Sequence, residues 1–135
     1  MKLGEPWPSR YIGLPWADRG RTREGVDCWG LVRLVYSEEL NIDLESYADL
    51  YRDPLSPAAS IALEEGAALW ERIEIGRERP FDVAIFSEGR AASHVGIVCG
   101  PSAMLHVLQG RDACIENYER PAWRPRLLEF RRHLA

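Results

Sequence analysis

The stretch Gly25-Val26-Asp27-Cys28-Trp29-Gly30-Leu31-Val32 carries the chain from a turn into a helix. Asp27 is a strong N-cap residue, because its carboxylate can accept from the free N–H groups of the first turn. Leu31, Leu34 and Val35 then fall at the spacing of one buried helical face, which predicts a helix running to about Leu40. Cys28 therefore occupies the first turn, where unpaired N–H groups and the helix dipole favour negative charge. A thiol so placed loses its proton more readily and becomes a better nucleophile. Gly30 is a poor helix former, costing about 1 kcal/mol against alanine. It makes sense here if a second backbone packs closely on the first turn.

Upstream, the segment from Lys2 to Val26 is rich in Pro, Gly, Trp and Arg. Asp18 to Glu24 is too charged and too punctuated by glycine for a core element and reads as a surface loop. No apolar run approaches the ~20 residues that cross a bilayer. Met1 to Pro8 lacks the apolar stretch of a secretory signal, so the expectation is synthesis and folding in a cytoplasm, with no membrane insertion. The 135 residues fit one domain, 1–135, and the net charge of −4 argues against a nucleic-acid partner. Three cysteines without close pairs, Cys28, Cys99 and Cys114, match neither a disulfide framework nor a zinc site, so no metal or other cofactor is expected.

Downstream, Ser56-Pro57 opens an expected second helix that stops near Gly66. The period then changes. Alternation from Leu69 to Ile75 predicts a half-buried strand, followed by Phe81–Phe86, His94–Cys99, Met104–Leu108 and a fifth strand from Ala113 to Tyr118. The tail from Trp123 to Ala135 fits a short strand or a helix. Helices first and adjacent strands after them predict an α+β architecture, with N-terminal helices packed on an antiparallel meander.

A nucleophilic cysteine needs a base, usually a histidine oriented by a third polar group. His133 lies in a basic tail, whereas His94 and His106 fall in two strands of one hairpin. With a three-residue loop at Gly100-Pro101-Ser102, Cys99 pairs with Ala103 and Gly96 with His106. His94 and His106 then share a face as diagonal neighbours, and an even loop would separate them unless a bulge restored the parity. The same parity turns Cys99 away from His94, which weakens a metal site built from His94, His106 and Cys99. Cys28 is then the nucleophile, His94 the base and later the acid, and His106 the group that orients it. The Cys28 N–H would help hold an oxyanion, and the expected resting state is a thiolate–imidazolium pair. Trp16 and Trp29 flank this site and are the candidate substrate contacts. Asp82, at a strand entrance, reads as a turn-stabilising carboxylate.

Asp27-Cys28-Trp29-Gly30-Leu31-Val32, His94-Val95-Gly96-Ile97-Val98 and Leu105-His106, in that order, resemble the NlpC-type papain-like cysteine peptidases. Pro80-Phe81-Asp82 stands where the family has Pro-Gly-Asp, and Leu14-Pro15-Trp16 where it has Pro-Tyr. The resemblance implies a cell-wall endopeptidase that cuts the peptidoglycan stem peptide between D-γ-glutamyl and a diamino acid, with Cys28, His94 and His106 as the triad. Trp29 stands in place of serine, Phe81 of glycine and Trp16 of tyrosine. Within the family the chain is most similar to tail-associated members of phages, prophages and gene-transfer agents. That implies tail-tip proteins as partners and delivery to the wall by a particle. The competing expectations are a structural tail-tip component with the same fold and little activity, and an amidase on the same scaffold.

Overall fold

The computed structural model describes residues 6–49, 66–88 and 91–135. A 3₁₀ turn at Trp7–Arg10 leads to a short hairpin, β1 (Arg21–Thr22) and β2 (Gly25–Val26). Helix α1 (Cys28–Leu40) follows, capped by the Asp27 carboxylate, which accepts from the Gly30 N–H at 2.7 Å. Asn41 ends it in the left-handed conformation. The expected second helix lies largely on residues 51–65, outside the described ones. The rest is one antiparallel sheet of β3 (Trp70–Ile73), β4 (Val83–Glu88), β5 (Ala91–Gly100), β6 (Ala103–His106), β7 (Cys114–Asn117) and β8 (Leu127–His133).

The helix and strand order match the α+β expectation, but the sheet is not a simple meander. Its order is β3-β8-β4-β5-β6-β7, so β8 enters between β3 and β4. The tail is therefore a strand, and alternation alone could not reveal its partners. Both faces of the sheet are covered. Val83, Ile85, Val95, Ile97 and Leu105 pack towards α1 with Val32, Val35 and Tyr36. Ala84, Phe86, Val98, Met104, Leu127 and Phe130 form a second core on the other face. Edge strand β3 gives one residue to each, Trp70 to the first and Ile73 to the second.

Asp18 to Glu24 lies at the surface, as expected, but part of it forms the β1–β2 hairpin and is tied to the start of the helix. Arg21, on β1, donates to the Asp27 carboxylate at 2.7 Å and to the Ser46 carbonyl at 2.8 Å. The neighbouring Gly20 carbonyl lies where a Cβ on Gly30 would stand, 2.0 Å away. That is the close backbone approach that the glycine in the helix implied. Asp82 is structural, as expected: buried, it accepts from the Arg79 N–H at 3.0 Å and holds Arg132 through both oxygens at 2.8 Å.

Phe81 adopts φ = 77°, a left-handed conformation costing about 1–2 kcal/mol for a residue with a Cβ. Its ring stacks on Trp7, with centroids 4.5 Å apart and planes at 18°, which offsets that cost. Phe81→Ala keeps the backbone cost and loses the stack, whereas Phe81→Gly loses both. The alanine variant is therefore expected to be the less stable by about 1 kcal/mol in urea unfolding, although it is the smaller change in size.

Candidate active site

Cys28 is half-buried at the start of α1, and the helix packs on β5. Its sulfur meets that strand at the Val95 N–H, with the Trp29 N–H as a second backbone donor. Burial, and then the adjacent Asp27 carboxylate, push the thiol up to about 12, against the pull of those donors and of Arg21.

His94 precedes Val95, and strand alternation sends its ring to the opposite face. There it stacks on Trp123 (centroids 5.4 Å apart) and touches Phe86. Its Nε2 lies 2.9 Å from Nδ1 of His106, and His106 Nε2 lies 2.6 Å from a Glu116 carboxylate oxygen. The register explains the first contact. Ile97 pairs with Leu105 and Val98 with Met104, which sets Gly96 opposite His106. A Cβ on Gly96 would approach the His106 Cβ to 3.3 Å, so the glycine leaves room for the His106 side chain. The loop is not the expected three residues. Gly100, rather than Cys99, pairs with Ala103, and a bulge at Cys99 preserves the parity.

The Cys28 sulfur thus meets the backbone N–H of the residue that directly follows His94. Among the described residues, no hydrogen bond joins the sulfur to either imidazole. Burial, then the neighbouring His106 and Arg126, lower His94 to about 3. Burial also lowers His106, against the opposing pull of Glu116. Burial thus works against both charged forms of the expected thiolate–imidazolium pair, and no hydrogen bond between sulfur and imidazole offsets it among the described residues.

The chain of contacts has a direction. A carboxylate only accepts, so His106 Nε2 carries the proton given to Glu116, and its Nδ1 accepts from the His94 Nε2–H. That leaves the lone pair of His94 on Nδ1, the nitrogen free to take a proton from a thiol. Glu116 and Trp123 were not legible as site residues. The one signal for Glu116 was its i, i+2 spacing from Cys114 in a predicted strand.

Trp16 is half-buried and bridges to Val26, beside the start of the helix. Trp29 does not fit a substrate contact. It is 3% exposed, packs on Trp70 and Tyr47, and donates to the Glu45 carbonyl at 2.9 Å. Following the cysteine by one residue, it turns about 100° around the helix and into the core. The three cysteines are free, and β6 separates Cys99 on β5 from Cys114 on β7.

Residues 13–132 match the NlpC/P60 family, and the chain belongs to it. It is 25% identical over 125 residues to the murein DD-endopeptidase MepS/murein LD-carboxypeptidase of Escherichia coli K12, spanning 93% of this chain and 58% of that protein. It is 28% identical over 126 residues to a gamma-DL-glutamyl hydrolase of Bacillus subtilis, spanning 91% of this chain and 27% of that protein. Its fold is similar to an NlpC/P60 family protein from Bacillus cereus (TM-score 0.72, 19% identity, 95% of this chain and 38% of the other). It is also similar to the NlpC/P60 domain of the peptidoglycan hydrolase SagA (TM-score 0.63, 21% identity, 91% and 90%).

Proposed function

We propose that this domain is a peptidoglycan hydrolase, a cysteine endopeptidase that cleaves the stem peptide at the D-γ-glutamyl–diamino acid bond. The observation that carries this reading is the directed relay Glu116–His106–His94, ending one residue from the Val95 N–H that meets the Cys28 sulfur. The relatives, a murein endopeptidase and a γ-glutamyl hydrolase, support the substrate class.

In this mechanism His94 Nδ1 takes the Cys28 proton as substrate brings the two groups together, and the thiolate attacks the carbonyl carbon. The oxyanion is held by the Cys28 N–H at the helix start. Collapse expels the amine, protonated by His94, and leaves a thioester. Water, deprotonated by His94, then releases the acid and restores the thiol. His106 and Glu116 hold the tautomer and touch no reacting atom, and Trp16 flanks the acyl chain. Delivery by a phage-like tail, with tail-tip proteins as partners, extends the same reading. Among the described residues no helix is long and apolar enough to cross a membrane.

A second reading, a structural tail component that keeps the fold without turnover, draws on the lack of a hydrogen bond between the sulfur and His94 among the described residues. The test is incubation of the purified protein with defined stem peptides and identification of the products by mass spectrometry. A cut between the γ-glutamyl residue and the diamino acid is expected. A cut at a sugar–peptide amide would make it an amidase, and no product from any stem peptide would leave the structural reading.

A further inference from the structure

On the same sheet face as the histidine pair, β6 and β7 bring three different metal-ligating groups together. His106 stands directly opposite Cys114, and Glu116 follows two residues on, pointing the same way. Their donor atoms, an imidazole nitrogen, Sγ and a carboxylate oxygen, all lie within 4.8 Å of one another. His106 is buried, while Cys114 and Glu116 are half-buried at the sheet edge, so the cluster is rigid on one side and open on the other. One nitrogen, one thiolate and one carboxylate, with a fourth position left to water, suit Zn²⁺. Tetrahedral zinc needs donors roughly 3.3–3.6 Å apart. The His106–Glu116 contact of 2.6 Å must open and the sulfur must close in, both by side-chain rotation at the exposed edge.

We propose that His106 Nε2, Cys114 Sγ and the Glu116 carboxylate form an inhibitory site for Zn²⁺. Binding itself does not depend on the peptidase reading; the inhibition does. Zinc takes the lone pair of His106 Nε2, so the proton of that ring must sit on Nδ1. His106 Nδ1–H then donates to His94 Nε2, and His94 carries its own proton on Nδ1. Both imidazoles stay neutral, with the same number of protons as before, and the one proton released comes from the Cys114 thiol. The relay now runs in the opposite sense, and the nitrogen of His94 that would accept the Cys28 proton is already protonated.

The test uses Co²⁺ as a spectroscopic substitute and Zn²⁺ as inhibitor. In a Cys28→Ala background, Co²⁺ is expected to give a thiolate-to-metal absorption band that Zn²⁺ abolishes. Cys114→Ser is expected to remove the band, and Glu116→Gln to weaken Zn²⁺ binding by at least about 10-fold. The Cys114→Ser protein, with Cys28 intact, is expected to keep its metal-free activity and to need at least about 10-fold more Zn²⁺ for half inhibition. No band, or a band that survives Cys114→Ser, overturns the site. Binding at Cys114 with unchanged Zn²⁺ sensitivity in Cys114→Ser overturns the inhibition and leaves the site. If the wild type cleaves nothing, the absorption band still decides the site, so the two failures are distinguishable.

Discussion

In the Cys28→Ala protein, stem-peptide cleavage is expected to fall by at least about 10⁴-fold, and adding His94→Gln should lower it no further. The two groups act as a unit: without the sulfur there is no thioester, and without the lone pair on His94 Nδ1 nothing takes its proton. His94→Gln alone should cost about 10²–10⁴-fold, the range of a general base. A double variant slower than either single one by the product of their effects would mean two independent contributions, contrary to this mechanism. The same substitution has a stability signature. Burial lowers His94 to about 3 in the folded chain, against 6.5 for the free side chain. Between those values the unfolded chain binds the extra proton, so wild-type stability falls as pH drops from 6.5 towards 3. Thermal unfolding of His94→Gln should show a shallower acid loss over that window, with His106 and His133, also lowered, left to account for what remains.

Gly30→Ala is expected to be strongly damaging for so small a substitution. A Cβ there would stand 2.0 Å from the Gly20 carbonyl oxygen and 2.9 Å from Arg21 Nη1. Backbone cannot rotate away as a long side chain can, so the β1–β2 hairpin must lift. Arg21 then loses Asp27, and the cap of α1 is disturbed at the residue before the thiol. Overpacking of this kind costs about 3 kcal/mol, more than the ~1 kcal/mol that alanine gains in helix propensity. A fall in melting temperature of about 10 °C is the expected reading. A variant as stable as the parent would show that the hairpin is not fixed against the helix.

Local patterns carried much of this. The Asp27 cap, the helix to Leu40 and all five expected strands are written in spacing that neighbouring residues alone determine. The strand expected at Phe81 starts later, at Val83, because Phe81 and Asp82 serve the preceding turn. The contact between His94 and His106 was legible too, since the parity of a hairpin follows from its loop and bulge. What could not be read depends on pairing between distant strands. Glu116 reaches His106 only through the β6–β7 register, and β7 follows a connection too irregular to fix it. Trp123 covers both histidines from a segment whose course is set by where β8 docks. Trp29 went the other way: next to the cysteine in sequence, it is carried into the core by the pitch of the helix.

The insertion of β8 between β3 and β4 has a consequence for how the domain comes into being. The slot in the middle of the sheet stays vacant until the ribosome has passed His133, long after Cys28 and both relay histidines have been translated. Until then β4, which braces the His94 strand on one side, presents an unmatched edge on the other, and Asp82 waits for Arg132. The central part of the sheet is thereby completed only once β8 has been made, and a nascent chain that has reached β7 holds Cys28, His94 and His106 without the frame that aligns them.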